Sequence, residues 1–571
     1  MLAHLSHYLH NNQIPSGDED RQVKAFRAIP LGQISLMDVE IERVGSTLNS
    51  LKQKRANVQK FIDDCNTILA PVRRLPVDIL KVIFEYCLAT HRHPIMSPSE
   101  APILLTQICH DWRSVALSTP LLWSRLYIPL LKKISPAYWY DAPPSAVVVE
   151  RTELGCLEQV KRWIRLSGGC PLSISIKITS PGTLHINRTL LDSIIKSSRR
   201  LQHLELDNLA SQPDLYTSIL GMSADDLCML QEIRLLSTAW PEHVKDLWHQ
   251  SGLFTTQSLR RVSIADMHNE FPAGLPPNWK NLTHLFIHSS IFLGSAGKVL
   301  SHCHNLVACL LQVSTPWRST HANFPPEYSF LPHLKFLSLR GEHIACNRLY
   351  SKIDAPSLRH LDCQGDPPNE NGELGIFNLL RNITNNSLET LMIEYRSLTP
   401  ENALRCYALA PSLKRLVLGQ SPTERYASSI MGYDTYPEQI TPLYNIRRFP
   451  PNPRPTVLLP LLEVFEAYGI QNTSDYVLLE FITVRITVAK APTTGVSMLR
   501  KVVVHFGRTR EIDIVPDALA YAHKSGIELE LELKYDLDRD SEVYKNWSPS
   551  YGLSDRDTSW HYPDFTPQFY E

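Results

Sequence analysis

Residues 411–418 read PSLKRLVL, and residues 356–363 read PSLRHLDC. In both stretches a proline stands two positions before a leucine, and further apolar residues follow three and five positions after that leucine. Side chains that alternate in this way point to one face of a β-strand. Each stretch therefore predicts a short strand with one buried face.

The same apolar hexad, led by leucine, occurs eleven times between residues 201 and 504, and the first nine copies are 23 to 30 residues apart. Prolines at 332, 356, 411 and 460 each stand two residues before a leading leucine. A strand that returns at this period, with a helix-length spacer after it, is typical of a repeat array. The leading residues are Leu201, Leu230, Leu259, Leu282, Leu306, Leu334, Leu358, Leu388, Leu413, Leu462 and Leu499.

This pattern resembles a leucine-rich repeat, which implies an α/β solenoid in which each unit adds one strand to a continuous core. Polar neighbours such as Arg260, Arg261, Lys335 and Arg415 are expected to point outward. The asparagine or cysteine usual after the hexad is replaced by Leu209 and Glu342, so we expect an irregular array. The solenoid is predicted over 157–534, with a first helix-turn-strand unit at 157–178, a last one at 517–533 and a loop insertion at 419–456. Residues 535–571 are expected to form a tail or a cap.

A second pattern precedes the repeats at residues 71–127 and predicts short helices rich in apolar residues. After Leu75 and Pro76, apolar residues from Ile79 to Cys87 follow at helical spacing. A Pro-containing connector leads to a second predicted helix from Leu104 to Ser118 and then to Leu122 and Trp123. Apolar residues lie on more than one face of so small a unit, so we expect another surface to cover some of them.

At these residues the chain resembles the F-box, the adaptor-binding module of cullin-based ubiquitin ligases. Only the connector from Ala89 to Pro102 is longer than usual in that family. The resemblance implies an all-α box over 71–127 that binds a Skp-type adaptor and, through it, a cullin. It implies these adaptor-binding residues: Leu75, Pro76, Ile79, Leu80, Ile83, Phe84, Ile108, Cys109, Trp112, Leu122 and Trp123. The alternative is that the helices only cap a larger core.

Residues 34–70 predict a long helix before the box. Apolar residues repeat at two positions of a heptad from Ile34 to Leu69, interrupted only by Arg55, and Pro71 ends the pattern. This spacing is typical of a coiled coil. A homodimer through 34–69 is one interpretation, but we favour a helix that folds back along the rest of the chain. Residues 1–33 are expected to be flexible and residues 128–156 to form a linker.

Composition limits the classes of partner. The 57 Lys and Arg residues against 58 Asp and Glu residues leave a net charge of −1, which favours neither nucleic acid nor an anionic membrane. The 11 cysteines are scattered without a CxxC pair, which suits free thiols in a reducing compartment. We therefore expect a cytoplasmic or nuclear protein.

Candidate chemical motifs are weak. His302, Cys303, His304 and Cys309 do not have the spacing of a zinc site, and the acidic residues from Asp536 lack the glycine of a calcium loop. No nucleophile elbow or phosphate-binding loop occurs, so no catalytic residue, metal or cofactor is predicted.

The box and the repeats together resemble the F-box proteins of mushroom-forming fungi, which carry a helix before the box and a Ser-Gly-x-Cys-Pro-Leu turn after it; residues 167–172 here read SGGCPL. The resemblance implies a non-catalytic substrate receptor of an SCF-type E3 ubiquitin ligase, with an unknown protein target held by the repeats. The alternatives are an F-box scaffold without a ligase role, or an enzyme on an unrecognised fold.

Overall fold

The structure is a computed structural model of all 571 residues. It describes residues 8–9, 13–90, 92–130, 146–178, 184–207, 213–236, 251–264, 277–315, 328–365, 374–383, 387–393, 399–419, 458–470, 473–491 and 495–535. Contacts between residues divide the chain into two compact units, Met1–Val82 and Ile83–Glu571. The fold is mixed α/β, with a long N-terminal helix in the first unit and a parallel sheet in the second.

After residue 125, described helices stand between most of the successive strands. The α-helices are α1 Gly17–Leu69, α2 Val77–Tyr86, α3 Leu105–Ile108, α4 His110–Leu117, α5 Ala146–Leu166, α6 Leu184–Ile195, α7 Pro213–Leu220, α8 Gly252–Thr255, α9 Leu293–His302, α10 His343–Tyr350, α11 Gly375–Asn382, α12 Pro400–Leu409, α13 Asp475–Lys490 and α14 Val515–Lys524. Short 3₁₀ turns include Pro71–Arg74 and Pro120–Trp123.

The strands are β1 Arg125–Leu130, β2 Leu172–Ile178, β3 Leu201–Asp207, β4 Glu232–Leu236, β5 Arg261–Ile264, β6 His284–Phe292, β7 Ala308–Ser314, β8 Ser329–Phe330, β9 Phe336–Gly341, β10 Ile353–Asp354, β11 His360–Gly365, β12 Thr390–Ile393, β13 Arg415–Leu418, β14 Val464–Ile470, β15 Lys501–Phe506 and β16 Glu530–Tyr535. Fourteen of them form one parallel sheet in chain order, and β8 pairs with β10 in a separate ribbon. Successive helices also contact each other, for example α9 with α10 and α10 with α11.

All eleven predicted hexads lie at strands of the large sheet. Their leading leucines are each at most 2% exposed, and the strand starts at the leading leucine in β3 and two residues after it in the others. The next two apolar positions form buried ladders across the sheet: Leu361, for example, lies between Leu337 and Leu391. Arg260, Arg261 and Lys335 are exposed, as predicted. The helix-turn-strand patterns predicted at 157–178 and 517–533 are present as α5 with β2 and α14 with β16, but β1 precedes β2 in the sheet.

The N-terminal prediction is wrong in part. The long helix begins at Gly17, not at Ile34, so residues 17–33 are helical rather than flexible. Ser16 and Glu19 form a capping box, in which the Ser16 side chain accepts from the Glu19 amide and the Glu19 carboxylate accepts from the Ser16 amide. This pairing satisfies backbone donors that a helix start leaves unpaired. No residue of α1 is buried.

The predicted linker at 128–156 is wrong at both ends. Strand β1 runs to Leu130 and pairs with β2 in register from Arg125 opposite Ser173, and α5 begins at Ala146. The middle of the linker, most of the 419–456 insertion and nearly all of the 535–571 tail lie outside the described residues. Among the described residues, no helix combines the length and the apolar character needed to cross a membrane.

Candidate functional site

Helix α2 carries apolar side chains on two faces. Leu80 and Phe84, one turn apart, are buried, whereas Ile79 and Ile83, also one turn apart, are 48% and 37% exposed. Residues four apart lie above one another on a helix, so each pair forms a continuous strip. One strip therefore contributes to the protein's own packing, and the other is open to solvent.

The remaining predicted box residues also divide into buried and exposed sets. Leu122 and Trp123 are 0% and 4% exposed, so their side chains belong to the core of the second unit. Ile108 is 55% exposed and Cys109 is exposed as well. Of the other predicted residues, Pro76 is exposed, and Leu75 and Trp112 are half-buried. The exposed apolar residues of the same stretch that were not among the predicted adaptor-binding residues are Val77, Val82, Tyr86, Leu104 and Leu121.

Two aromatic contacts hold the buried set in place. The Phe84 ring lies 4.9 Å from the Trp112 ring, and the Trp123 ring meets the Trp163 ring of α5 edge to face at 4.8 Å. The indole N–H of Trp163 donates to the backbone oxygen of Arg125 at the start of β1. The predicted box from Ile83 onward thus packs continuously with the first strand of the sheet. For the buried residues, this agrees with the alternative in which the helices cap a larger core.

The second predicted helix is interrupted at Cys109. The backbone of Cys109 is extended, with φ −156° and ψ 173°, so the single helix predicted from Leu104 to Ser118 is wrong and α3 and α4 replace it. The Cys109 sulfur accepts from the Trp112 amide at 3.4 Å and caps the start of α4. At this break the side chains of Ile108 and Cys109 are both exposed.

The long connector after α2 is an ordered cover for the edge of the sheet. Arg92 forms a two-point ion pair with Glu100, at 2.5 and 2.9 Å. The Tyr127 amide of β1 donates to the Pro94 oxygen at 3.0 Å, and the His93 ring hydrogen-bonds with Ser175 of β2. The sheet's first strand therefore does not present a bare edge, which would invite pairing with other chains.

The face of the sheet opposite the buried leucine ladders carries charged side chains that are paired with one another. Glu232 of β4 accepts from Arg234 at 2.5 Å and lies 3.6 Å from Arg261 on the next strand and 3.7 Å from His203 on the preceding one. Burial by itself raises the pKa of Glu232, but these three neighbours outweigh it and lower the pKa below its usual value. The carboxylate is therefore ionised and held in a fixed position.

The same arrangement recurs further along the sheet. Asp362 of β11 accepts from Ser338 at 2.7 Å and from Arg340 at 3.0 Å, and it is 2% exposed. Glu466 of β14 pairs with Arg415 at 2.8 Å. A buried carboxylate is tolerated only when it is paired and hydrogen-bonded, so each arginine stabilises its partner.

An apolar cluster lies between the charged regions of this face. Phe286 of β6 and Leu310 of β7 occupy facing positions, with Ala308 and Phe336 beside them. The Phe286 and Phe336 ring centroids are 6.5 Å apart. The face thus combines fixed charges with an aromatic centre, which are the two kinds of group that protein-binding surfaces use for specificity and for affinity.

Several histidines on or beside this face are held neutral. Burial lowers the pKa of His93 to about 3, with a further contribution from Arg125. Burial also lowers the pKa of His284 and of His288 to about 4, assisted by Arg261 and Arg340 respectively. Ser173 Oγ lies 2.8 Å from His203 Nδ1, but the His203 ring is 3.7 Å from Glu232, which already binds Arg234. This geometry does not supply the short base-to-acid hydrogen bond of a hydrolase triad.

The cysteines of the weak zinc motif are core residues. Cys303 and Cys309 are fully buried, and burial raises the pKa of Cys303 to about 12 and that of Cys309 above its usual range. Metal ligation requires the thiolate, which this environment disfavours. Among the described residues, no group of three or more His, Cys, Asp or Glu side chains is arranged to hold a metal ion. The acidic residues from Asp536 to Glu542 lie outside those residues.

Comparisons with known proteins do not place the chain in a family. No protein-family model matches it, and no curated protein sequence matches it.

Proposed function

We propose that the chain is a substrate-recognition subunit of an SCF-type E3 ubiquitin ligase, which binds a Skp-type adaptor through the box and a protein target through the repeats. The observation that carries the proposal is the two-faced helix α2. Its Leu80 and Phe84 strip is buried, while the strip of Ile79 and Ile83 is left exposed on a helix that resembles the first helix of an F-box. An exposed apolar strip of this kind fits a protein-binding surface.

The exposed residues define the adaptor surface of this proposal. Of the predicted adaptor-binding residues, solvent can reach Pro76 and Ile79 in the first unit and Ile83, Ile108 and Cys109 in the second. Phe84, Leu122 and Trp123 act indirectly, because their burial fixes the helices that carry the exposed residues. Leu80 is buried as well.

In this proposal the parallel sheet and its helices form an irregular leucine-rich-repeat solenoid. The sequential parallel strand order and the eleven buried leading leucines support that interpretation. The target would bind the polar face, where paired charges at Glu232, Asp362 and Glu466 flank the aromatic cluster around Phe286. The receptor would accelerate ubiquitin transfer by raising the effective concentration of the target's lysines near a charged E2.

The test is co-expression of the full chain with a Skp-type adaptor, followed by size exclusion with light scattering. We expect a 1:1 complex for the wild type and no complex for Ile79→Asp/Ile83→Asp. Burying two unpaired carboxylates in the interface would cost several kcal/mol, on the order of 2–7 for each polar group without a partner. Both residues are exposed, so the double variant should keep the wild-type circular dichroism spectrum and thermal midpoint.

Val39→Asp is the matched control, because Val39 is an exposed apolar residue on a different helix. It should bind the adaptor as the wild type does. A folded double variant that co-purifies with the adaptor at the wild-type ratio contradicts the proposal. A soluble wild-type chain that does not bind the adaptor also contradicts the proposal. The helices would then only cap the larger core. If the adaptor binds, accumulation of a bound protein after cullin inactivation separates a ligase receptor from a scaffold.

A further inference from the structure

Helix α1 has an exposed apolar stripe that the proposed function does not use. The helix has 53 residues, none of them buried, and at a rise of 1.5 Å per residue it is about 80 Å long. After Pro30 the stripe follows one heptad pattern, and Ile41, Leu48 and Leu51 on it are 69%, 49% and 57% exposed. Single exposed apolar residues are ordinary, but a continuous stripe of this length marks an interaction surface.

The charges beside the stripe change sign along the helix. Residues 34–46 contain Asp38, Glu40, Glu42 and Arg43, for a net charge of −2. Residues 47–60 contain four basic residues and no acidic one, for a net charge of +4. Two parallel copies in register would bring the acidic halves together and the basic halves together, whereas two antiparallel copies place the acidic half of one against the basic half of the other.

Arg55 gives a second, independent argument about orientation. It stands at a seam position, one heptad after Leu48 and one before Ile62. In a parallel dimer, residues at this position face their own copies, so Arg55 would meet Arg55 of the second copy inside the apolar seam. Two unpaired guanidinium groups there are strongly unfavourable.

One antiparallel register satisfies both the seam and the charges. In an antiparallel pair the two kinds of seam position face each other, which pairs Ile34 with Val58, Ile41 with Leu51 and Leu48 with Val44 of the second copy. Each pairing occurs twice because the dimer is symmetric. Arg55 then lies opposite Met37 at the ends of the overlap, where its charged end can reach solvent.

The flanking positions of this register carry opposite charges. Asp38 faces Lys52 of the second copy and Glu40 faces Lys54 of the second copy, and symmetry doubles both contacts. Glu40 now forms a two-point ion pair with Arg43 on the same helix, at 2.6 and 2.8 Å. Both side chains are more than half exposed, and exposed pairs of this kind contribute little, so that pair does not prevent the contact between helices.

We infer that α1 joins two copies of this chain as an antiparallel coiled coil over residues 34–58. The inference is independent of adaptor binding, because the stripe lies on α1 and the proposed adaptor strip on α2. In this inference the stripe packs against a second copy rather than against the rest of its own chain. The Leu69 ends of the two helices point in opposite directions in such a dimer.

The first experiment measures the mass of the full-length protein by size exclusion with light scattering at micromolar concentration. We expect twice the chain mass of 65.0 kDa for the wild type and the chain mass for Val44→Asp/Leu48→Asp. Both residues are exposed, so the variant should keep its fold and its adaptor binding. Val39→Asp, which lies off the stripe, should remain dimeric. A monomeric wild type, a dimeric seam variant or a monomeric Val39→Asp overturns the inference.

The second experiment tests the orientation with a charge exchange. Lys52→Glu/Lys54→Glu should weaken the dimer at least ten-fold in sedimentation equilibrium, and adding Asp38→Lys/Glu40→Lys should restore it. In the parallel register Glu40 faces Gly45 and Lys54 faces Gln59 of the second copy. The charge exchange would therefore not restore a parallel dimer. Wild-type affinity of the first variant, or failure of the four-residue exchange to restore dimerisation, overturns the antiparallel assignment.

Discussion

Asp475 lies at the centre of the C-terminal hydrogen-bond network, and its replacement by Asn tests whether that network stabilises the last strands. Its side chain is completely buried at the start of α13. One carboxylate oxygen accepts from Arg508 at 2.9 Å and from the Tyr535 hydroxyl at 3.1 Å. The other accepts from the amides of Glu511 and Ile512 at 2.9 and 3.0 Å.

The expected cost of Asp475→Asn is about 3–5 kcal/mol, the range for breaking a buried ion pair by changing one partner. Asparagine has the same shape, but its amide nitrogen is a donor and would face two of these four donors. Two hydrogen bonds to a charged acceptor are then lost, at roughly 1.5–3 kcal/mol each, and Arg508 loses its buried counter-ion. The pKa of Asp475 agrees with this view: burial raises it, but the bonds from Arg508, Ile512 and Glu511 lower it below its usual value.

The assay is hydrogen exchange by mass spectrometry together with urea unfolding of the full chain. The free energy of opening should fall in β15 and β16, while β3 to β5 exchange as in the wild type, because strands contact only their neighbours. Asp517→Asn, at an exposed acidic residue in the first turn of α14, is the control and should change stability by less than about 0.5 kcal/mol. A change below about 1 kcal/mol for Asp475→Asn would refute the reasoning.

Two further predictions concern the sheet. Gly341→Ala should destabilise the protein by about 3 kcal/mol in urea unfolding, because Gly341 has φ 110° and an added Cβ would overlap the backbone oxygen of Val313. The control Gly469→Ala, at φ 75° with open space around it, should cost about 1 kcal/mol. Equal losses for the two variants would show that the overlap with Val313 does not matter. His93 has a folded pKa of about 3 against an unfolded value near 6.5, so the stability present above pH 6.5 should be lost as pH falls toward 3, by about 1.4 kcal/mol per pH unit within that window. His93→Asn should reduce this slope between pH 6 and 4, and an unchanged slope would mean that His93 does not carry it.

The sheet was predictable because its signal is repeated and internal to the chain. A leading leucine such as Leu413 is uninformative alone, but the first nine of them, 23 to 30 residues apart, indicate a repeat array, and all eleven are buried. The start of a helix and an interruption within a helix were harder to predict. Ser16 followed by Glu19 has the spacing of a capping box and indicates a helix start, whereas nothing in the pattern around Cys109 predicts an extended residue between two helices.

The predicted adaptor residues show a different limit. Leu80 and Ile79, or Trp123 and Ile108, are equally apolar in sequence, and only the fold decides which of them the protein covers itself. Trp123 is buried because Trp163, forty residues later, packs against it. An apolar pattern at helical spacing predicts that a helix face will be covered, but it does not predict whether the protein itself or another protein covers it.

The sequential order of the sheet has a consequence for synthesis on the ribosome. In the large sheet, each described strand from β2 onward hydrogen-bonds to the strand that precedes it in that sheet along the chain. The connector from Arg92 to Glu100, which covers β1, is made before any of these strands. The nascent chain can therefore add strands one at a time to an edge that is already closed on its other side. Among the described strands of the large sheet, none pairs with a strand from a distant part of the sheet, so the loops that must close during assembly are short compared with the chain.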